Sequence, residues 1–244
     1  MKQAISRWLV RYLTTEVDRP DEVSGLGFDW QKSVQPGDVI LVEGRTRISS
    51  AIKYLTQSTW SHAAMVLNTS PGEVIEADVK NGVSRASLRK YEAHNIRICR
   101  PIGLEAGERA KLLAFAEAHI GVQYDLKNLV DLARYLLPTP PVPTRFRRRM
   151  LTLGSGDPTE KLICSALIAR AFQSVRYPIL PHQWWAEDGL VMSQVRHYSV
   201  YVPRDFDLSP YFEIVKPTVV QGFDHRVMNW STVPDPDGQS TTSP

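Results

Sequence analysis

Three side chains of the types needed to open an acyl bond are spread through this chain in the order His62, Glu76 and Cys164. A thiolate is the nucleophile, an imidazole can take and return its proton, and a carboxylate can fix the imidazole's tautomer. Attack on an acyl carbon would give a thioester, resolved by water or another acceptor. Backbone N–H groups near Cys164 and Ser165 are natural donors to the oxyanion that forms. Taken singly, Cys164 is equally well explained as a small core residue. His62 and Glu76 are, singly, better explained as ordinary strand residues. Their joint placement is what favours chemistry.

Each residue needs an element to hold it. From Glu160 to Phe172, apolar residues recur as Cys164, Leu167, Ile168, Ala171 and Phe172, with Val175 beyond. That spacing is one helical face, and Asp157, Pro158 and Thr159 are start signals before it. Cys164 therefore stands in the first turn, where the helix dipole and free N–H groups favour the thiolate. His62 and Glu76 fall on a predicted hairpin: a strand from Ser61 to Leu67, a turn over Asn68-Thr-Ser-Pro-Gly72, and a strand from Glu73 to Val79. An even pairing register puts His62, Ala64 and Val66 on the same face as Val74, Glu76 and Asp78. With the turn centred near Thr69 or Ser70, His62 meets Glu76 directly or on the diagonal. Elsewhere the pattern predicts a strand at Asp38–Val42 and a helix from Arg45 to Thr56 capped by Thr46. It also predicts a short helix at Leu88–Ala93, a strand at Asn95–Arg100 and a helix from Glu105 to Ile120. A further helix opens at Tyr124-Asp125 and stops at Pro138. Strands are expected at Tyr198–Val202 and Tyr211–Val215, and Trp184 and Trp185 as packing anchors.

Other chemistries are less well supplied. There is no GxSxG elbow, and no HExxH or CxxC pair points to a metal. No cofactor motif stands out. His94, His119, His182, His197 and His225 read as surface histidines; His182, which follows Cys164 in the chain, is the main competitor of His62.

At these motifs the chain resembles the permuted NlpC-type papain-like amidases, the YaeF/YiiX kind of cysteine hydrolase. Pro36-Gly-Asp-Val-Ile-Leu is similar to the family's opening strand, Trp60-Ser-His62-Ala-Ala-Met to its histidine strand, Val74-Ile-Glu76-Ala to the strand of the third residue, and Ile163-Cys164-Ser165 to the nucleophile. The histidine and carboxylate precede the cysteine, the order of the circularly permuted branch. The resemblance covers Gln35 to Pro181. It implies an α+β papain-like fold with a small antiparallel sheet packed against the nucleophile helix. It implies Cys164, His62 and Glu76 as catalytic residues, with Tyr124 and Ser165 bordering the substrate. Three features depart from the family pattern: Ala166 stands where many relatives carry glutamate, residues 138–159 form a long insertion, and no export signal is apparent.

Composition sets the frame. At 244 residues, 43% hydrophobic, the chain can bury one full core. We expect an amphipathic N-terminal helix and linker over 1–30, a hydrolase domain over 31–231 and a disordered tail over 232–244. A net charge of +3 with scattered basic residues gives no reason to expect nucleic-acid binding. Two cysteines, Cys99 and Cys164, make no disulfide framework and suit a reducing, cytoplasmic setting. Ile5, Trp8, Leu9, Tyr12 and Leu13 form an apolar stripe suited to packing or to a membrane surface. Arg145-Phe-Arg-Arg-Arg-Met-Leu151 suits an anionic surface or substrate, or a plain solvated loop. The expected function is a cysteine hydrolase of a peptide, N-acyl or lipid-like acyl bond. The alternatives are an acyltransferase of the lecithin retinol acyltransferase type and a catalytically silent lipid-binding module. The expected partners are a small-molecule, peptide or lipid-like substrate and, peripherally, a membrane.

Overall fold

The computed structural model describes residues 12, 14–16, 30–78, 81–122, 164–185 and 191–215. The second predicted helix after Tyr124, the 138–159 insertion, the N-terminal stripe apart from Tyr12, and the 232–244 tail lie outside these residues.

The centre is a six-stranded antiparallel sheet in the order β4-β3-β2-β1-β5-β8. Its strands are β1 (Val39–Val42), β2 (His62–Asn68), β3 (Glu73–Asp78), β4 (Gly82–Ser87), β5 (Ile96–Pro101) and β8 (Phe212–Val215). β1 is aliphatic at every position and buried on both faces, as a strand covered on two sides must be. One face carries Val39, Leu41, Ala63, Met65, Ile75 and Cys99, under helices α2 (Ala106–Glu117) and α3 (Cys164–Ser174). The other carries Ile40, Val42, Ala64, Val66, Val74 and Ile98, under Trp30, Val34, Leu88 and Tyr91. Asp38 and Arg100 lock β1 to β5 through a two-pronged pair, Nε to Oδ1 at 3.0 Å and Nη2 to Oδ2 at 2.8 Å. The Gln35 N–H also donates to Asp38, so this buried carboxylate is well satisfied.

Helix α3 is buried almost all round. The expected face of Cys164, Leu167, Ile168, Ala171 and Phe172 is inside, but so are Ser165, Ala166 and Ala169. Small residues on that second side let it run between the sheet, α2 and the 198–201 segment. Phe172 anchors its far end among Tyr177, Phe206 and Phe212, with ring centroids 5.3, 6.3 and 5.1 Å away.

Helix α1 (Arg47–Thr56) starts as expected: the Thr46 side chain accepts from the Ser49 N–H. Gly44, just before it, has no room for a side chain. A Cβ there would overlap the Ser49 hydroxyl and come within 2.8 Å of the Ser61 hydroxyl.

Two local expectations need correction, and one strand falls where no element was expected. Gly82–Ser87 forms edge strand β4, paired with β3 along its whole length. The short helix expected at Leu88–Ala93 is a single 3-10 turn, Leu88–Tyr91. Tyr198–Val202 was expected as a strand; Tyr198–Val200 is a 3-10 turn whose Ser199 N–H donates to the His197 ring, and Val202 leads into the short helix α4 (Pro203–Asp207). Tyr201 and Val202 are buried side by side and Val200 is exposed, so burial does not follow the alternation of the sequence. Trp184 and Trp185 close strand β6 (His182–Trp185), which among the described residues pairs only with β7 (Val191–Gln194), in a separate two-stranded ribbon.

Candidate active site

The pairing of Met65 with Ile75 and Val66 with Val74 sets an even register. Continued by one residue beyond Met65 and Ile75, it places Glu76 opposite Ala64 and diagonal to His62. The side chains close that diagonal, with His62 Nε2 2.7 Å from Glu76 Oε2. Because Nε2 is engaged, Nδ1 is the nitrogen left for the sulfur, and His62 and Cys164 are hydrogen-bonded to each other. Cys164 arrives from the opposite layer. The first turn of α3 reaches the start of β2, where the N–H groups of Ala63 and Ser165 point at its sulfur.

The electrostatics follow from this packing. Burial raises the Cys164 thiol, but the His62 charge and hydrogen bond, with the two backbone N–H groups, outweigh it and hold the pKa below the ordinary value. For His62, burial pulls the imidazole down, while Cys164 first and Glu76 second push it up to about 10. Burial also acts against ionised Glu76, yet its contacts with His62 and Lys90 bring it down to about 2. The arrangement can therefore hold a thiolate and an imidazolium at neutral pH, with a carboxylate behind them. Cys99 is the contrast. Burial and the Asp207 charge push its thiol far up, and it sits in the core between sheet and helices.

Glu76 is 1% exposed and receives more than His62. The Tyr91 hydroxyl donates to Oε2 at 2.6 Å, and Lys90 pairs with Oε1. Neither residue was expected in the site. The one available signal was the apolar pair Leu88 and Tyr91 three residues apart, which a single 3-10 turn puts on one side.

A pocket of about 310 Å3 opens beside the sulfur. Val42, Ile48, Ile52 and Ala77 form its apolar wall, and Arg45, Asp78, Lys90 and Glu16 its charged rim. Thr14 and Glu16 come from the N-terminal segment, which crosses the start of α1 through a bridge from Glu16 to Thr46. The Arg47 guanidinium stacks 4.1 Å from the Tyr12 ring, so this part of the N-terminal stripe packs on the domain.

Of the residues expected in the site, His62, Glu76 and Cys164 come together. Ser165 turns its hydroxyl inward to the Tyr201 carbonyl at 2.7 Å, so what it offers the site is its backbone N–H. Tyr124 lies outside the described residues. His182 opens β6, and the histidine bonded to the sulfur is His62. His94, expected at the surface, is half-buried and lines the pocket; burial and the Arg45 charge lower its pKa. Among the described residues no group of three or more histidine, cysteine or acidic side chains is gathered to hold a metal ion. No helix among them is long and apolar enough to cross a membrane.

A cysteine at a helix start, facing a histidine on an antiparallel sheet, is the arrangement of the papain-like cysteine hydrolases, here with the histidine strand ahead of the cysteine helix. Residues 33–135 match the family described as permuted papain-like amidases, YaeF/YiiX, C92 family, which bears out the resemblance read from the motifs. The matched span includes His62 and Glu76 and ends before Cys164. Among solved structures, the chain is similar to one described as the metalloprotein YiiX from Escherichia coli O157:H7. That similarity has 18% identity and a TM-score of 0.49 over 75% of this chain and 97% of that one. No curated protein matches the chain.

Proposed function

We propose that this protein cleaves an amide or lipid-like acyl bond through a thioester on Cys164, with His62 as acid and base and Glu76 as its orienter. The observation that carries the reading is the relay of hydrogen bonds from Glu76 to His62 Nε2 and from His62 to the Cys164 sulfur. In the reaction the thiolate attacks the acyl carbon, forming the S–C bond and moving the carbonyl electron pair onto oxygen. N–H groups at the start of α3 would stabilise that oxyanion. Collapse breaks the bond to the leaving group, which takes the proton from His62 Nδ1. His62 then removes a proton from water as it attacks the thioester. The S–C bond breaks, the acid departs, and the thiolate and imidazolium are restored.

The same acyl-enzyme hands its acyl group to any amine or alcohol that reaches it ahead of water, so the assay includes an amine acceptor. Wild type and Cys164→Ala are compared in an untargeted turnover screen of lipids and peptidoglycan fragments. Alkylation by iodoacetamide is followed at both cysteines. Turnover lost in the alanine variant, with Cys164 alkylating faster than Cys99, is expected; equal alkylation of the two in folded protein sinks the assignment. The composition of Arg145 to Leu151 also supports peripheral contact with an anionic membrane. Liposome binding that survives replacing Arg145, Arg147, Arg148 and Arg149 by glutamine would remove that contact.

A further inference from the structure

We propose that Tyr91 is a positioning residue of the proton-transfer pair: its hydroxyl, together with His62, aims Glu76 and keeps the His62 proton on Nε2. The inference rests on the catalytic reading above. Glu76 is almost fully buried at the end of a flexible side chain; Lys90 on Oε1 is exposed and can swing into water, so the plane of the carboxylate rests on the buried donors at Oε2, and one hydrogen bond from His62 would fix a distance without fixing that plane. Two donors from different elements fix both. His62 comes from β2 and Tyr91 from the 3-10 turn after β4, and both meet Oε2, at 2.7 and 2.6 Å.

Tyr91 is suited to that task. It is 2% exposed, its ring is packed in the core under the sheet, and its turn is capped by the Ser87 side chain on the Arg89 N–H. Two torsions position the whole side chain, so little freedom is lost in holding the hydroxyl still. The hydroxyl also lies 3.4 Å from His62 Nε2. A deprotonated Nε2 would compete with Glu76 for the Tyr91 proton. With the proton on Nε2, Tyr91 and His62 both donate to the carboxylate and no acceptor is left short. The shared oxygen thus selects the tautomer that leaves Nδ1 facing Cys164. Burial and the nearby Glu76 carboxylate push the phenol far above its ordinary pKa, so it remains a donor at every working pH.

The test is the rate of Cys164 alkylation by iodoacetamide against pH, in wild type, Tyr91→Phe, Glu76→Gln and the double variant. The phenylalanine ring keeps the core contacts and removes one oxygen. Wild type should react as a thiolate well below the pH at which an ordinary thiol ionises. In Tyr91→Phe the alkaline inflection, at which His62 gives up its proton, should move down by about one pH unit, because the imidazolium loses part of its support. Cys99 should stay slow in all four proteins, reporting an intact core. In the Glu76→Gln background, adding Tyr91→Phe should shift the profile by clearly less than it does in wild type, since Tyr91 acts through the charge of that carboxylate. A Tyr91→Phe profile superimposed on a wild type that does show the low-pH limb would overturn the inference. So would a shift of equal size with and without Glu76. A wild type with no low-pH limb would instead overturn the Cys164–His62 reading itself.

Discussion

Replacing Glu76 by glutamine separates the carboxylate's charge from its shape. The amide has one acceptor, and the two donors that meet Oε2, His62 Nε2–H and the Tyr91 hydroxyl, determine which way it faces. Its oxygen must take their place, and its NH2 then faces Lys90, which is 45% exposed and can swing into water. The variant should therefore fold with His62 still bonded but no longer charge-assisted. Charge-assisted hydrogen bonds are worth about 1.5–3 kcal/mol and neutral ones about 0.5–1.5, so the bond alone loses about 1–2 kcal/mol of support for the imidazolium. That corresponds to roughly tenfold in rate, and loss of a buried negative charge beside the imidazolium extends it toward 100-fold. The loss should fall on kcat, since Glu76 stabilises a charge held during proton transfer rather than a substrate contact. Cys164→Ala should fall to background on the same substrate. A Glu76→Gln enzyme with wild-type kcat, or one impaired only in KM, would refute the orienting role.

The pH dependence of stability follows from the same groups. His62, raised from 6.5 to about 10, contributes stability that is complete below 6.5 and is lost as pH rises through 10. Cys164, lowered from 9.0, contributes stability that is complete above 9 and is lost as pH falls through its folded value. Above 6.5, and from the folded Cys164 value up to about 9, the two slopes cancel, because one proton is bound in either state, on His62 when folded and on the thiol when unfolded. Glu76, lowered from 4.5 to about 2, adds a further loss as pH falls from 4.5. Urea unfolding should thus give a plateau over that range that narrows in Cys164→Ala. Phe172→Ala should cost about 3–5 kcal/mol in urea unfolding, since it empties a site that is 0% exposed among three aromatic rings. In Cys164→Ala the His62 imidazole should titrate below the wild-type value by NMR, because the largest influences raising it come from the sulfur; an unchanged titration would mean that the sulfur does not carry them.

What was legible in the chain was what local pattern controls. The Asn68–Gly72 turn and the alternation on either side set the β2–β3 hairpin, and with it the diagonal of His62 and Glu76. Thr46 announced α1, and the period from Cys164 to Phe172 announced α3. β4 was hidden because Gly-Val-Ser-Arg-Ala-Ser has little to bury: it is an edge strand whose later residues alternate between half-buried and exposed. Tyr91 was hidden for the opposite reason. Its partners lie 15 and 29 residues back in the chain, so only the folded sheet shows why an aromatic stands there.

These two kinds of information meet at the sulfur. The proposed acid–base pair is local: His62 and Glu76 are 14 residues apart on one hairpin, and Tyr91 joins from the 3-10 turn after β4. Cys164 is remote, brought in by a helix packed between the sheet and α2. A buried thiolate on its own would be costly, as the high pKa of Cys99 illustrates. A buried imidazolium on its own would be costly as well, since burial is the largest influence lowering His62. Each becomes affordable only against the other, with Glu76 and Lys90 supplying a second, opposite pair of charges behind them. On the proposed mechanism the nucleophile is therefore made by docking α3 against the hairpin rather than by either element alone. On that reading a chain order with the histidine strand first suffices: the reactive pair depends on where the helix start meets the strand end, and not on which of them is synthesised earlier.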